Sequence, residues 1–438
     1  MPTIAARQDW RVLAAIFWIT SVVEGIGVSQ VFAFLPADLS HMGVPDAERR
    51  SFVGLFSALV FIVGMPLVPL WGVWADKYSR KLVIVRSAVV EAVVFAAVAL
   101  SREPWQLAAS LLLIGLQLGN TGVMLAAIRD ATPRRRLGTT IALFGASGPI
   151  GFAVGPALGG IIIDGLGYSI PAVFAVSAFL SLATAVLIVV GSKEVRPEVV
   201  PTGRTIDLAY SALLGVLQDP KVRRIFLIFG TAFLAGQMSR PYVPLLVENL
   251  VGKGPGLASA IALVAGTAAL AGALVSPLGG AIGDRVGFEP VLVVSLIGGG
   301  VTLALMPLVP GVVALAIAAL AFAAFGAAVT AMVFGLLATE IPPERRSATL
   351  NLVYLPLYAA GIIGPLVGAA IVNVAGVPAP FFAGTVVYLA GAVVLAVRMA
   401  TRRSSGAAEA AEAGAGAAEA AGPGAADQAG KSRSEKPM

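Results

Sequence analysis

The chain has 438 residues, of which 58% are hydrophobic and 12% charged, and its mean hydropathy is +0.91. A water-soluble domain carries about 25% charged residues, so most of this chain is expected in lipid rather than water. There is no cysteine and one histidine, His41, which excludes disulfides and thiolate metal sites and leaves no basis for a His-based metal centre or a Ser-His-Asp triad.

Crossing a bilayer takes about 20 apolar residues. Twelve such stretches are read along the chain: 12–36, 51–73, 82–101, 105–128, 139–163, 169–190, 223–246, 256–279, 289–308, 311–336, 348–373 and 379–399. The first is too long for a cleavable signal, contains Glu24 and lacks a small-residue cleavage site. Between the sixth and seventh, Ser192-Lys193-Glu194-Val195-Arg196-Pro197 is polar. The sequence then turns amphipathic from Thr205 to Gln218, which predicts either a short helix on the membrane surface or a plain linker. After Arg403 the chain becomes rich in Ala, Glu and Gly, a composition expected to be disordered. The expected organisation is therefore a six-helix half over 1–190, a cytoplasmic linker over 191–222, a second six-helix half over 223–400 and a cytoplasmic tail over 401–438.

The net charge of +6 could suggest nucleic acid, but the basic residues are placed otherwise. Of 30 Lys and Arg, only Arg49, Arg50, Arg102 and Lys253 fall in the loops of one side, and Arg240 falls inside a span. The rest gather on the other side with the termini. Such asymmetry orients a multi-pass protein with its basic side and both termini in the cytoplasm, here of the plasma or inner membrane.

One phrase occurs twice. Pro69-Leu70-Trp71-Gly72-Val73-Trp74-Ala75-Asp76-Lys77 recurs 208 residues later as Pro277-Leu278-Gly279-Gly280-Ala281-Ile282-Gly283-Asp284-Arg285. Phe34-Leu35-Pro36 and Tyr242-Val243-Pro244 keep nearly the same offset, as do Pro133-Arg134-Arg135-Arg136 and Pro343-Glu344-Arg345-Arg346, and Gly155-Pro156 and Gly364-Pro365. A long internal period in an apolar chain points to a carrier of two related halves. Six crossings return the chain to its starting side, so the halves run parallel.

With these residues in view, the chain from about 10 to 400 resembles the major facilitator superfamily, in particular its twelve-span drug–proton antiporter branch. That family's loop between spans 2 and 3 reads G-x-x-x-D-R/K-x-G-R/K-R/K; here it is Gly72, Asp76, Lys77, Ser79, Arg80 and Lys81, with serine in place of the second glycine. The second copy keeps Gly280, Asp284, Arg285 and Gly287 but has Phe288-Glu289 where basic residues are common. Gly72 is expected to let helix ends approach closely. The resemblance implies that the cluster gates the conformational cycle by clasping the halves, with Asp130 as acidic partner of Arg80. Gly151, Gly155, Pro156, Gly159 and Gly160 in span 5 are similar to the family's antiporter motif. Glycines four residues apart give a flat packing face, and Pro156 removes a backbone hydrogen bond, which suits an interface between rocking halves. Span 11 echoes it in Gly361, Gly364, Pro365 and Gly368. Where many relatives carry an arginine in span 4, in an R-x-x-q-G context, the aligned residue is Gly115, so the resemblance does not extend to that arginine's proton-transfer role.

Charged groups inside spans are costly, at least about 2.5 kcal/mol each, and mark function. Glu24 in span 1 is the first candidate: a carboxyl that exchanges between neutral and ionised forms can carry a proton or bind a cationic cargo. Arg240 in span 7 and Glu91 in span 3, near Arg86, are further candidates; the last is as readily a structural pair. Gln117, Asn120 and Thr121 are predicted to share a face of span 4 by i, i+3, i+4 spacing, and Asn351, Tyr354 and Tyr358 a face of span 11. The resemblance lines a central cavity with spans 1, 4, 7 and 10 and puts spans 2, 5, 8 and 11 between the halves. Glu24, Gln30, Gln117, Asn120, Gln237 and Arg240 are thereby expected to serve proton coupling or cargo binding, with helix-packing hydrogen bonds the alternative for each amide. The expected function is secondary active transport by alternating access: proton-coupled efflux of small amphipathic or lipophilic compounds by a monomer. An uptake carrier or lipid flippase of the same fold is the alternative. No enzyme chemistry, cofactor, metal or nucleic acid is expected, and no G-x-x-x-x-G-K-S/T sequence is present for ATP.

Overall fold

A computed structural model describes residues 9–197, 200–340 and 355–420, and among these there is no β-strand. Ten helical segments are long and apolar enough to cross a membrane. They are span 1 (Trp10–His41), span 2 (Asp46–Lys77), span 3 (Arg80–Leu100), span 4 (Pro104–Ala131), span 5 (Arg134–Gly165), span 6 (Ile170–Gly191), span 9 (Phe288–Leu308), span 10 (from Val312), span 11 (Leu355–Ala375) and span 12 (from Ala379). The two other expected spans are also helical. Span 7 runs Pro220–Ser239, tightens to a 3₁₀ turn at Arg240–Tyr242 and resumes as Val243–Val251. Span 8 is the 30-residue helix Leu257–Val286. Among the described residues they build an all-α membrane fold.

Local chemistry sets several helix starts. The Asp9 side chain accepts from the Arg11 amide ahead of span 1. Glu103 and Gln106 form a reciprocal capping box with Pro104 in the first turn of span 4. A helix covers Thr205–Gln218 between the halves, and its Tyr210 hydroxyl donates to the Pro66 carbonyl of span 2. The last helix continues through Ala420, so the segment expected to be disordered begins as an extension of span 12. Residues 421–438, the second basic cluster Pro343–Arg346, and Asn351 and Tyr354 lie outside the described residues.

Packing repeats between halves. Span 1 packs on spans 5 and 6 and span 3 on span 6; correspondingly span 7 packs on spans 11 and 12 and span 9 on span 12. The halves meet where span 5 crosses span 8 and span 2 crosses span 11.

The glycine face of span 5 does not serve that junction, contrary to the sequence expectation. A Cβ on Gly151 would lie 2.9 Å from the Gly25 Cα and 3.1 Å from the Ile26 amide nitrogen, and one on Gly155 3.0 Å from the Ile26 Cα. Gly159 is closed off by the Phe34 ring. All of these belong to span 1 of the same half; only Gly160 meets span 8, at Ser259 and Ala262. Glycine is required because the two backbones touch. Span 11 repeats the arrangement, with Gly364 and Gly368 against Gln237, Met238 and Tyr242 of span 7. Gly151→Val is expected to force spans 1 and 5 apart at a cost of about 3 kcal/mol, read as a clear fall in the melting temperature of the purified protein; an unchanged melting temperature would contradict this packing.

Candidate functional site

Gly119 adopts φ +95 and interrupts span 4. The helix ends at Ile114, passes through a 3₁₀ turn at Gly115–Gln117 and restarts at Asn120. Gln117, Asn120 and Thr121 therefore do not share one continuous helical face as the spacing predicts. A break within a membrane frees backbone carbonyls that no water satisfies, and side chains must take them up. Arg86 of span 3 does so: its Nη2 donates to the Gln117 and Leu118 carbonyls, both at 3.2 Å. The Ser87 hydroxyl adds a bond to the Gln117 carbonyl at 2.8 Å.

The restarted helix presents its N-terminus to Glu24. The Asn120 Nδ2 donates to Glu24 Oε2 at 2.9 Å, and a helix N-terminus favours a negative group. The Arg86 charge attracts Glu24 as well, while the guanidinium carbon rests 3.7 Å from the centre of the Trp71 ring. Its Nε and Nη1 are buried with no hydrogen-bond partner. Glu91 accepts from the Ser181 hydroxyl through Oε2, leaves Oε1 unpartnered, and is near enough to feel the Glu24 charge. Spans 1, 2, 3 and 4 thus converge on one carboxylate–guanidinium cluster. Sequence reasoning named Arg86 only as a neighbour of Glu91 and missed its bonds to the span-4 break: it lies near the start of the expected third span, where a basic residue reads as a topology signal.

The amides part company. Gln30 is fully buried, donates to the Gly155 carbonyl at 3.1 Å and accepts from the Ser177 hydroxyl. It ties spans 1, 5 and 6 together and is removed from the cavity candidates, because both ends of its amide are occupied. Gln117 is buried with an unpartnered Oε1 beside the break. Gln237 is buried where span 7 meets Gly364 of span 11. Arg240 lies over Phe32 of span 1 and Phe152 of span 5, with its guanidinium carbon 4.6 Å and 5.0 Å from the ring centres.

The loop between spans 2 and 3 is an ion cluster within the first half. Arg80 is almost fully buried, with Nε 2.8 Å from Asp76 Oδ1 and Nη1 2.7 Å from Asp130 Oδ2. Ser79 caps span 3 by accepting from the Leu82 amide and donates to Glu194, so the hydroxyl does work a glycine could not. Lys77 donates to the Gly203 carbonyl of the linker, and Lys81 to the carbonyls of Val189 and Ser192 at the end of span 6. The close approach expected at Gly72 is absent: a Cβ there or on Gly280 would meet open space, and span 8 instead approaches span 10 at the adjacent Gly279, against Ala328. Asp284 and Arg285 are exposed and join no ion pair among the described residues.

Among the described residues, polar contacts between the halves cluster at the bundle end away from the termini. Arg49 of span 2 grips Glu248 of span 7 through two bonds of 2.9 and 2.6 Å, both side chains being buried. Lys253 pairs with Asp46 at 2.7 Å. Asp164, in the π-helical last turn of span 5, accepts from the Gly256 and Ser259 amides at the start of span 8. Ser51 donates to Asn373 at 2.8 Å. Toward the termini, Cβ atoms on Gly145 and Gly272 would meet nothing. Glu248→Gln is expected to weaken this latch and populate a conformer open at that end. The chain has no native cysteine, so spin labels on Glu48→Cys and Asn249→Cys report it: a distance distribution unchanged by Glu248→Gln would contradict the latch.

Two parallel, internally repeated six-helix bundles with a buried charge cluster in one and a latch at one end define a two-half membrane carrier fold. The chain belongs to the Major Facilitator Superfamily, whose family description it matches over residues 17–262 and 225–432. It is 27% identical over 293 residues to the multidrug resistance protein MdtG of Citrobacter koseri, covering 66% of this chain and 70% of that protein. It is 26% identical over 385 residues to MdtG of Rahnella sp., covering 87% and 92%. Among solved structures, the nucleoside transporter NupG superposes with a TM-score of 0.71 at 16% identity, covering 89% of this chain and 99% of that one. The human organic anion transporter MFSD10 superposes with a TM-score of 0.63 at 18% identity, covering 89% and 100%. At these identities the two structures share the fold.

Proposed function

We propose that this chain is a secondary active exporter that exchanges protons for small amphipathic or lipophilic compounds by alternating access. The observation that carries the reading is Glu24: a carboxylate deep in span 1, held by Asn120 at a helix restart and faced by Arg86. A carboxyl so placed changes the charge balance of its half when it takes or gives up a proton, and that change can be relayed through Arg86 to the break in span 4. The relation to MdtG proteins, named for multidrug resistance, supports export of foreign amphipathic compounds. With the basic side carrying the termini as the cytoplasmic side of the inner or plasma membrane, the latch closes the outer end of the carrier. The cargo is moved unaltered by a monomer. Flux of a dye from proteoliposomes under an imposed pH gradient tests the reading; no dependence on the gradient would overturn proton exchange.

One observation favours the flippase alternative. An apolar groove of about 340 Å³ lies between spans 2, 7 and 11, lined by Met65, Phe226, Leu234, Leu355 and Ile363. A groove of that character suits an acyl chain. Flip of a fluorescent lipid in the same liposomes, faster than export of any dye, would favour it.

A further inference from the structure

Among the described residues, three arginines inside this bundle face a carboxylate and a fourth, Arg240, does not. Arg80 has Asp76 and Asp130, Arg49 has Glu248, and Arg86 has two carbonyls and the Glu24 charge. Arg240 has no hydrogen bond or ion pair among the described residues; its contacts are the rings of Phe32 and Phe152. It sits in the 3₁₀ turn that interrupts span 7, between the buried residues Ser239 and Pro241, yet is itself partly exposed. Span 7 belongs to the second half and both rings to the first. Arg240 therefore reaches from the second half onto two rings of the first.

A guanidinium carries five N–H donors in one plane. Aromatic rings attract its charge but accept little of that hydrogen bonding. What remains unsatisfied is the in-plane fork, whose geometry matches the two oxygens of a carboxylate, sulfonate or phosphonate. A lone cation inside a membrane protein is unfavourable, and the binding of an oxyanion would remove that cost. Phe32 and Phe152 supply an apolar wall beside the same point, which fits the body of an amphipathic molecule.

We infer that Arg240 is the anchor for the anionic group of the cargo, and that the compounds carried are amphipathic organic anions. This rests on the transport reading above and narrows its substrate class. The anchor is separate from the proton site: Phe32 lies eight residues beyond Glu24 on span 1, about 12 Å along a helix axis. Cargo and proton thus bind different groups, and exchange runs through the movement of the halves. That movement also acts on the anchor, since separating span 7 from spans 1 and 5 takes both rings away from Arg240.

The test is counterflow exchange in proteoliposomes without a pH gradient, comparing fluorescein, an anion, with ethidium, a cation. Wild type is expected to exchange fluorescein. Arg240→Gln is expected to lower that exchange by at least about tenfold, as loss of one partner of a desolvated charge pair does. Arg240→Lys, which keeps the charge but not the fork, should retain part of it, and wild type is expected to favour fluorescein over ethidium. Melting temperatures show whether each variant is folded, and the wild-type comparison of the two dyes needs no variant. Exchange of ethidium but not fluorescein by wild type, or undiminished fluorescein exchange by Arg240→Gln, overturns the anion assignment and leaves transport standing. Exchange of neither dye overturns both.

Discussion

Glu24→Gln is expected to reduce pH-driven export to the level of liposomes without protein, while the chain remains inserted and folded. The amide has nearly the shape of the carboxyl, and its oxygen can still accept from Asn120 Nδ2, which lies 2.9 Å from Glu24 Oε2 in the structure. What the variant loses is the ability to change charge. Arg86 then faces a permanently neutral partner, and the break in span 4 no longer feels the difference between proton-loaded and proton-free states. Counterflow, which needs no net proton movement, is expected to persist. The pair of measurements separates a coupling role from a structural one: a residue needed only for packing would reduce both. Gradient-driven export equal to wild type would remove Glu24 as the proton carrier.

The second large effect is expected at Arg80. Replacing it with Gln leaves Asp76 and Asp130 facing one another across a space that a guanidinium filled, with bonds of 2.8 and 2.7 Å lost. Removing one member of a buried ion cluster costs about 3–5 kcal/mol; the carboxylates are partly exposed, which places the expected loss near 3 kcal/mol after solvent screening. The consequence is a lowered melting temperature together with slower cycling, because spans 2, 3 and 4 are joined at this point. A second substitution, Asp130→Asn in the Arg80→Gln background, is expected to recover part of the stability by relieving the carboxylate repulsion. Additive losses in the double variant would show that the cluster is not an electrostatic unit.

The residues that sequence reasoning reached are those whose local context allows no ordinary reading. Glu24 stands in the middle of an apolar run, where a carboxyl has no solvent. Asp76 lies in the repeated phrase, and Arg80 follows it at i, i+4 spacing beside a helix end. What stayed hidden depends on long-range geometry. The Arg86 contacts rest on a positive-φ glycine that breaks span 4, and helical periodicity assumes there is no such break. Arg49 and Glu248 are 199 positions apart in different halves; each taken alone is a charge at a span end. Gln30 misled for the opposite reason. Its position two turns above Glu24 suggested a shared cavity wall, but its side chain turns sideways into the seam between spans 5 and 6. The span-5 glycines were recognisable as a packing face, whereas the helix they pack against is a property of the assembled bundle.

The latch at the end away from the termini mixes two kinds of bond, and dissolved ions treat them differently. Lys253 and Asp46 are about half exposed, while Arg49 is 4% exposed against Glu248. Mobile counterions weaken the first kind within a Debye length of about 8 Å and barely reach the second. In the proposed orientation, which puts this end outside, raising salinity in the external medium trims the rim of the seal and leaves its centre intact. Cells in dilute and in briny surroundings would start each turnover from differently biased resting populations of the same carrier.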